Sequence, residues 1–350
     1  MKKLFVYILV LLTSIGQSFA QDYIPIDPRL TQRQDNSLNK QAEVILNLAN
    51  EVLINVPPQI PEPLERTMAL YLLDVIFHDV YAPERLPVQE FLQKRIENLA
   101  NEIENTQVEE GAVFWKLYDH GFIVRTKAVT IGFDLIRPSV RFEKFFTDTK
   151  TELGRIISQC DVLFVSHYHP DHADEWVAQT FIEQGKPVVS PPGVWEDKTF
   201  YEKVSHLDRD INKHHSLPIQ EGKQELKVVI YPGHQKDILN NIPVIYTPDG
   251  FCFSHNGDQN YGNMAEDTLW IHNIKDHHQI DVLMYNSYMS SSWISGFEPE
   301  LVMTAHENEL GHGIHSRHPY WEMHARLKSI PYPFVVTAWG EKYHYFKKSQ

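Results

Sequence analysis

The segment 166–172, SHYHPDH, constrains the fold of this chain more than any other part of the sequence. It follows directly on an apolar run, DVLFV at 161–165, which is typical of a buried strand. The segment therefore places three imidazoles and a carboxylate at the end of a strand. These are the ligands that a borderline divalent metal prefers in proteins.

The spacing within this segment predicts two ions rather than one. Residues two apart in an extended segment point the same way, so His167 and His169 can reach one ion together. After the turn at Pro170, Asp171 and His172 can face a second ion. A polar surface loop rich in histidine is the alternative interpretation. It is disfavoured by three further candidate ligands elsewhere in the chain.

Each of these three candidates lies just past another apolar, strand-like run. His234 follows VVIY at 228–231, Asp258 follows the run at 250–254, and His306 follows LVMT at 301–304. Layered α/β proteins present their functional loops at such strand ends. The order HxHxDH, His, Asp, His therefore predicts one shared metal centre.

This order resembles the metallo-β-lactamase superfamily over about residues 111–346. The resemblance implies an α/β fold, a four-layer αββα sandwich with the metals at one edge of two facing sheets. It also implies that Asp134 holds a metal-binding histidine from behind, although a capped turn is an equally good interpretation of that residue. The ligand set implied for the first ion is His167, His169 and His234, with Asp171, His172 and His306 for the second and Asp258 bridging both.

The same resemblance implies a metal-dependent hydrolase that uses a metal-bridging hydroxide. Asp171 is the candidate catalytic residue, for steering the nucleophile and passing on its proton. The two cofactor ions are expected to be Zn²⁺, with Mn²⁺ or iron as alternatives because the site contains carboxylates. The aspartate at position 258 and the spacing after it look most like the ascorbate-6-phosphate lactonase-like branch. We expect an ester, lactone or related bond of a small molecule to be cleaved. A phosphodiesterase and a non-catalytic binding protein are the alternatives.

Strands mixed with helices from Gly111 onward predict a layered α/β domain over residues 111–350. Before it, residues 21–110 are predicted to form a helical extension. Apolar residues at helical spacing predict its helices at 37–55, 63–78 and 87–105. Further helices are predicted at 172–184, 264–276 and 319–328. Cys160 and Cys252 lie in apolar runs and are expected to be buried free thiols.

Several polar residues are weaker candidates for the site. His312 and Arg317 could clamp a substrate carboxylate or phosphate, although a hydrated loop explains most of their neighbourhood, His315 included. His120 lies in a tight turn that could overhang the metals, and His255 could support the ligands from behind.

The first twenty residues predict a secretory signal peptide. Lys2 and Lys3 precede an apolar run at 4–12, and Ser18-Phe19-Ala20 is a small-x-small cleavage site. The run is too short to span a bilayer comfortably, so no stable membrane insertion is expected. A net charge of −14 disfavours a nucleic-acid partner and leaves a small-molecule substrate. The expected location is the periplasm or the medium.

Export makes a direct prediction about the mature chain. Because Ser18 and Ala20 fit signal peptidase, the mature protein is expected to begin at Gln21. Mass spectrometry of the protein from its native host measures this end. A mature chain that retains residues 1–20 would contradict the predicted localisation.

Overall fold

Two facing β-sheets organise the computed structural model, which describes residues 28–138, 149–260, 265–286 and 288–347. The first sheet has six strands in the order β13-β1-β2-β3-β4-β5. Its β3, β4 and β5 are parallel, and its other pairs are antiparallel. The strands are β1 (Ala112–Lys116), β2 (Phe122–Arg125), β3 (Thr130–Phe133), β4 (Val162–Phe164), β5 (Val188–Val189) and β13 (Lys342–Tyr345).

The second sheet has seven strands in the order β12-β11-β10-β9-β8-β7-β6. Its strands from β9 to β12 are parallel, so their carboxyl ends meet at one edge. The strands are β6 (His215–Ile219), β7 (Gln224–Gln235), β8 (Ile238–Tyr246), β9 (Cys252–His255), β10 (Val282–Asn286), β11 (Leu301–Ala305) and β12 (Phe334–Val335).

Seven α-helices occur in the described part of the chain, along with several short 3-10 turns. Amphipathic spacing of apolar residues explains the longer ones, because each buries an apolar stripe, although Arg66, Asp74 and Arg95 are buried as well. The helices are α1 (Pro28–Asn55), α2 (Leu64–Phe77), α3 (Leu86–Asn105), α4 (Lys150–Ser158), α5 (Glu175–Glu183), α6 (Ile294–Phe297) and α7 (Tyr320–Leu327).

The two sheets pack face to face, with helices on both outer faces. One apolar core joins the inner faces of both sheets, and the Phe114 and Phe253 rings meet there edge to face at 5.2 Å. A second core packs α4, α5 and the end of α3 on the outside of the first sheet. A third packs α2, α7 and α1 from Ala42 onward on the outside of the second sheet. This arrangement confirms the predicted αββα sandwich.

The chain divides into two compact units, residues 1–41 and residues 42–350. Of the first unit the structure describes residues 28–41, which begin α1. In the second unit, the boundary predicted at residue 111 falls in the loop between α3 and β1. The predicted signal peptide lies outside the described residues. No helix among the described residues is long and apolar enough to cross a membrane.

The helix predicted at 264–276 is wrong. Within its described part the chain instead forms two short 3-10 turns, Asp267–Leu269 and Ile274–Asp276. The apolar residues between them, Ile271 among them, pack into the core outside the second sheet. The Asp267 carboxylate binds side chains of other segments, those of His234 and Gln259. Strands β6 and β13 and helix α4 were not predicted.

A buried ion pair fixes α2 to the end of the chain. The Arg66 guanidinium binds both oxygens of Glu341, at 2.8 and 2.6 Å, and also donates to the Val336 carbonyl at 2.9 Å. The guanidinium is fully buried and the carboxylate nearly so. Removing one partner would therefore leave the other charge buried without compensation, which is costly.

We expect Arg66→Met to lower the free energy of unfolding by about 3 kcal/mol, because Glu341 would lose its bidentate partner. Urea denaturation of the variant and the wild type measures this difference. Lys127→Met is the matched control, since its pair with Glu109 is exposed on both sides and should change stability by less than about 0.5 kcal/mol. Equal stability of the Arg66 variant and the wild type would contradict a structural role for this pair.

Candidate metal centre

The predicted ligands come together at one edge of the two sheets. The loop after β4 carries the histidine-rich segment, and the loops after β9 and β11 carry Asp258 and His306. The turn between β1 and β2 adds Asp119 to the same place. Strand ends therefore position the site, because the sheets fix where each loop begins.

One group of donor atoms consists of His167, His169 and Asp258, whose ligand atoms lie within 4.8 Å of one another. His167 Nε2 is 3.0 Å from His169 Nδ1 and 3.7 Å from Asp258 Oδ2. His167 and Asp258 are buried, whereas His169 is partly exposed. His167 and His169 thus share one site, as their spacing predicted.

A second group consists of Asp119, Asp171, His172 and His306, all buried and again within 4.8 Å. His306 Nε2 lies 3.6 Å from Asp171 Oδ2, and His172 Nε2 lies 3.9 Å from the same oxygen. The predicted second ligand set is therefore brought together. Asp119 joins it although the sequence analysis did not select it.

The Asp258 carboxylate lies between the two groups. Its Oδ2 faces His167, while its Oδ1 is 3.1 Å from His172 Nε2 and 3.6 Å from His306 Nε2. Two amides hold it in this orientation: Asn286 Nδ2 donates to Oδ1, and Gln235 Nε2 donates to Oδ2 at 2.7 Å. One oxygen can therefore serve each group.

Buried carboxylates hold two of the histidines through Nδ1, which leaves Nε2 for a metal. Asp134 Oδ2 is 2.6 Å from His172 Nδ1, and the same carboxylate accepts the backbone N–H and the hydroxyl of Ser166. Asp134 thus lies behind a histidine of the second group. Asp267 Oδ1 is 2.9 Å from His234 Nδ1.

Among the described residues a third group of close donor atoms consists of His120, Asp134 and His172, and His234 is part of none of the three. Its ring is nevertheless oriented by Asp267, and its backbone N–H donates to Gln259 Oε1 at 2.9 Å. Its assignment to the first ion stays a prediction.

The electrostatics of the site reflect charged side chains packed together in the interior. Burial favours the neutral imidazole, but the carboxylates of Asp119 and Asp258 raise the pKa of His306 to about 10. Burial and the neighbouring His172 lower the pKa of His167 to about 3. The pKa of Asp258 stays below its usual range, because His172 and His306 outweigh the effect of burial. The carboxylates therefore depend on nearby positive charge.

The donor set fits divalent metal ions. His172 Nε2, His306 Nε2 and both oxygens of Asp119 are buried without a hydrogen-bond partner among the described residues. Buried polar atoms of this kind are rarely left unsatisfied. Imidazole nitrogens and carboxylate oxygens that converge in this way are the usual ligands of zinc, manganese and iron.

Of the weaker candidates for the site in the loop after His306, only one lies close to the predicted ligands. His312 is partly exposed, with Nε2 3.4 Å from Asp171 Oδ2, so it lies at the site. The prediction of Arg317 as a substrate clamp is wrong, because its guanidinium donates hydrogen bonds to backbone carbonyls such as those of Phe77 and Leu310. His315 is exposed, as expected of a hydrated loop.

The two remaining weak candidates are buried together. The rings of His120 and His255 lie 3.9 Å apart, and His255 Nε2 contacts the His120 carbonyl at 3.1 Å. They therefore support the site from the interior rather than overhang it.

Cys160 and Cys252 are buried free thiols, which confirms the expectation from the sequence.

Sequence reasoning missed Asp119, Asp267, Gln235 and Asn286. Asp119 stands beside the turn residue His120, which did attract notice, so a carboxylate next to that histidine was an available signal. Asp267 was hidden within a helix that does not form. The two amides carry no metal-ligand signature, and only the fold shows that they reach Asp258.

No family model and no curated protein matches the chain. Among solved structures, it is similar to a metallo hydrolase from the hyperthermophilic archaeon Ignicoccus hospitalis, with 17% identity, a TM-score of 0.49, and coverage of 68% of this chain and 99% of that one. It is also similar to a possible metal-dependent hydrolase from Veillonella parvula, with 13% identity and a TM-score of 0.48. The match covers 67% of this chain and 100% of that one. A third similar structure is an isothiocyanate hydrolase from Delia radicum gut bacteria, with 10% identity and a TM-score of 0.46. The match covers 67% of this chain and 99% of that one.

Proposed function

We propose that this protein is a metal-dependent hydrolase with two divalent ions, which cleaves an ester, lactone or related bond of a small molecule. The observation that carries the proposal is the position of Asp258, with one oxygen toward His167 and the other toward His172 and His306. A carboxylate placed between two sets of imidazoles is suited to bridging two cations. Zinc is the proposed ion of the histidine-rich first site.

When bound, a pair of divalent ions supplies an activated water and polarises the electrophilic oxygen of the substrate. The protein contributes proton transfer and orientation. Asp171 Oδ2 lies 3.6 Å from His306 and 3.4 Å from His312, so this carboxylate can receive a proton inside the site. His312 can carry that proton to the surface, because its side chain is partly exposed.

His312 and Tyr288 are placed to meet the departing half of the substrate. Tyr288 Oη is 3.4 Å from His312 Nδ1, and the Tyr288 ring lies against His306 with centroids 5.1 Å apart. Both side chains are partly exposed, unlike the ligands behind them. A neutral phenol and an imidazole can donate protons to a leaving oxygen.

The proposal includes work outside the cytoplasm on a small molecule. The signal-peptide pattern supports export, and the net charge of −14 disfavours nucleic acid as a substrate. Activity toward a panel of lactones, aryl esters, β-lactams and bis-p-nitrophenyl phosphate tests the bond type. Loss of activity on chelation and its return with added zinc would support the metal requirement. A metal-loaded protein that cleaves the phosphodiester alone would contradict the proposed bond type.

We expect Asp258→Asn to keep the fold, bind clearly fewer than two ions per chain and lose nearly all hydrolysis. An asparagine keeps the size but lacks the negative charge that offsets the repulsion between two nearby cations. Plasma emission measures the metal content, circular dichroism the fold, and the responding panel substrate the turnover.

His315→Ala is the matched control for this variant. His315 lies in the loop after His306 but is exposed, so its removal should leave metal content and turnover close to wild type. If Asp258→Asn bound two ions per chain and kept near-normal turnover, the bridging role of Asp258 would be contradicted.

A further inference from the structure

The Asp119 carboxylate is buried in a way that the fold alone does not explain. Asp119 lies in the turn between β1 and β2 with a φ of +58°, a left-handed conformation that an aspartate adopts more readily than most residues. Its side chain is fully buried. Neither carboxylate oxygen has a hydrogen-bond partner within the described ranges. An ionised carboxylate in such a place requires a nearby positive charge.

The imidazoles around this carboxylate belong to two of the predicted metal ligands, and Oδ2 faces the metal-binding nitrogen of one of them. Asp119 Oδ1 is 3.3 Å from His306 Nδ1, and Oδ2 is 3.9 Å from His172 Nε2. His172 Nε2 and both ring nitrogens of His306 also lack hydrogen-bond partners among the described residues. The backbones of the two segments are also hydrogen-bonded, because the His306 N–H donates to the Asp119 carbonyl at 3.2 Å. The turn is thereby held against the ligand loop after β11.

We propose that Asp119 is a direct ligand of the second ion and gives this site a harder donor set than the first. The proposal rests on the proposed function, since it requires a metal ion bound by the second group of donors. With Asp119 the second site has three carboxylates, Asp119, Asp171 and Asp258, and two imidazoles, His172 and His306. The first site has the imidazoles of His167 and His169 with Asp258, and His234 as the further predicted donor.

This difference in donors predicts that the two sites prefer different metal ions. Carboxylate oxygens suit manganese, whereas imidazole-rich sites favour zinc more strongly. The second site therefore discriminates less against Mn²⁺ than the first does. A protein offered one equivalent of Zn²⁺ and then an excess of Mn²⁺ takes zinc into the first site and manganese into the second.

The test uses the full mature chain, stripped of metal by chelation and reloaded with one equivalent of Zn²⁺ and excess Mn²⁺. Plasma emission counts each metal after desalting, and electron paramagnetic resonance titration measures Mn²⁺ affinity. We expect about one zinc and one manganese per wild-type chain. Asp119→Asn should keep the zinc and bind Mn²⁺ at least about tenfold more weakly. His315→Ala is the control: His315 is exposed and lies outside both groups of donors, so its removal should leave the binding of both metals unchanged.

A merely structural role is separated by thermal unfolding with and without excess Mn²⁺. If Asp119 is a ligand, Mn²⁺ raises the melting temperature of Asp119→Asn clearly less than that of wild type, because the variant binds the ion more weakly. Asp119→Gly, which suits the positive φ, should behave in the same way. A melting temperature that falls equally with and without Mn²⁺ in both variants, or Mn²⁺ affinity equal to wild type, would overturn the inference. Wild-type protein that binds no divalent ion would overturn the proposed function itself, and the inference with it.

Discussion

The site depends on negative charge buried at the edge of the two sheets. Asp258 lies between two sets of imidazoles, and its orientation is set by amides from β7 and β10. Such a carboxylate is stable in a dry interior only with cations or charged hydrogen-bond donors around it. In the protein without metal, His306 supplies part of that charge, since its pKa is raised to about 10. Divalent ions would supply it more fully.

The sandwich serves this arrangement by bringing loops from both sheets to one edge. The predicted ligands after β4 come from the first sheet, and those after β9 and β11 come from the second. The core between the sheets fixes the distance between the two sets. Outside the sheets, Asp74 of α2 accepts the side-chain amide of Asn308, two residues after His306. The helices before Gly111 thus support the loop that carries a ligand.

The sequence predicts the layers and most of the residues that come together at the sheet edge, because both follow local patterns. Apolar runs mark the buried strands, and HxHxDH marks the ligand loop without knowledge of its surroundings. Residues that act across the fold leave no such pattern. Asp119 reaches His306 from nearly two hundred positions away in the chain, and Asn286 reaches Asp258 from a neighbouring strand. A turn aspartate and a strand asparagine have many ordinary roles, so only tertiary structure selects these two.

The proposed bridging of two metal ions by Asp258 is tested most directly by anomalous X-ray diffraction. Crystals of the zinc-loaded protein, measured on both sides of the zinc absorption edge, would locate each ion. If Asp258 bridges the ions, we expect two peaks about 3.5–4 Å apart, one toward His167 and one toward His172 and His306, with one Asp258 oxygen near each. A single peak, or two peaks with Asp258 bound to neither or only one, would contradict it.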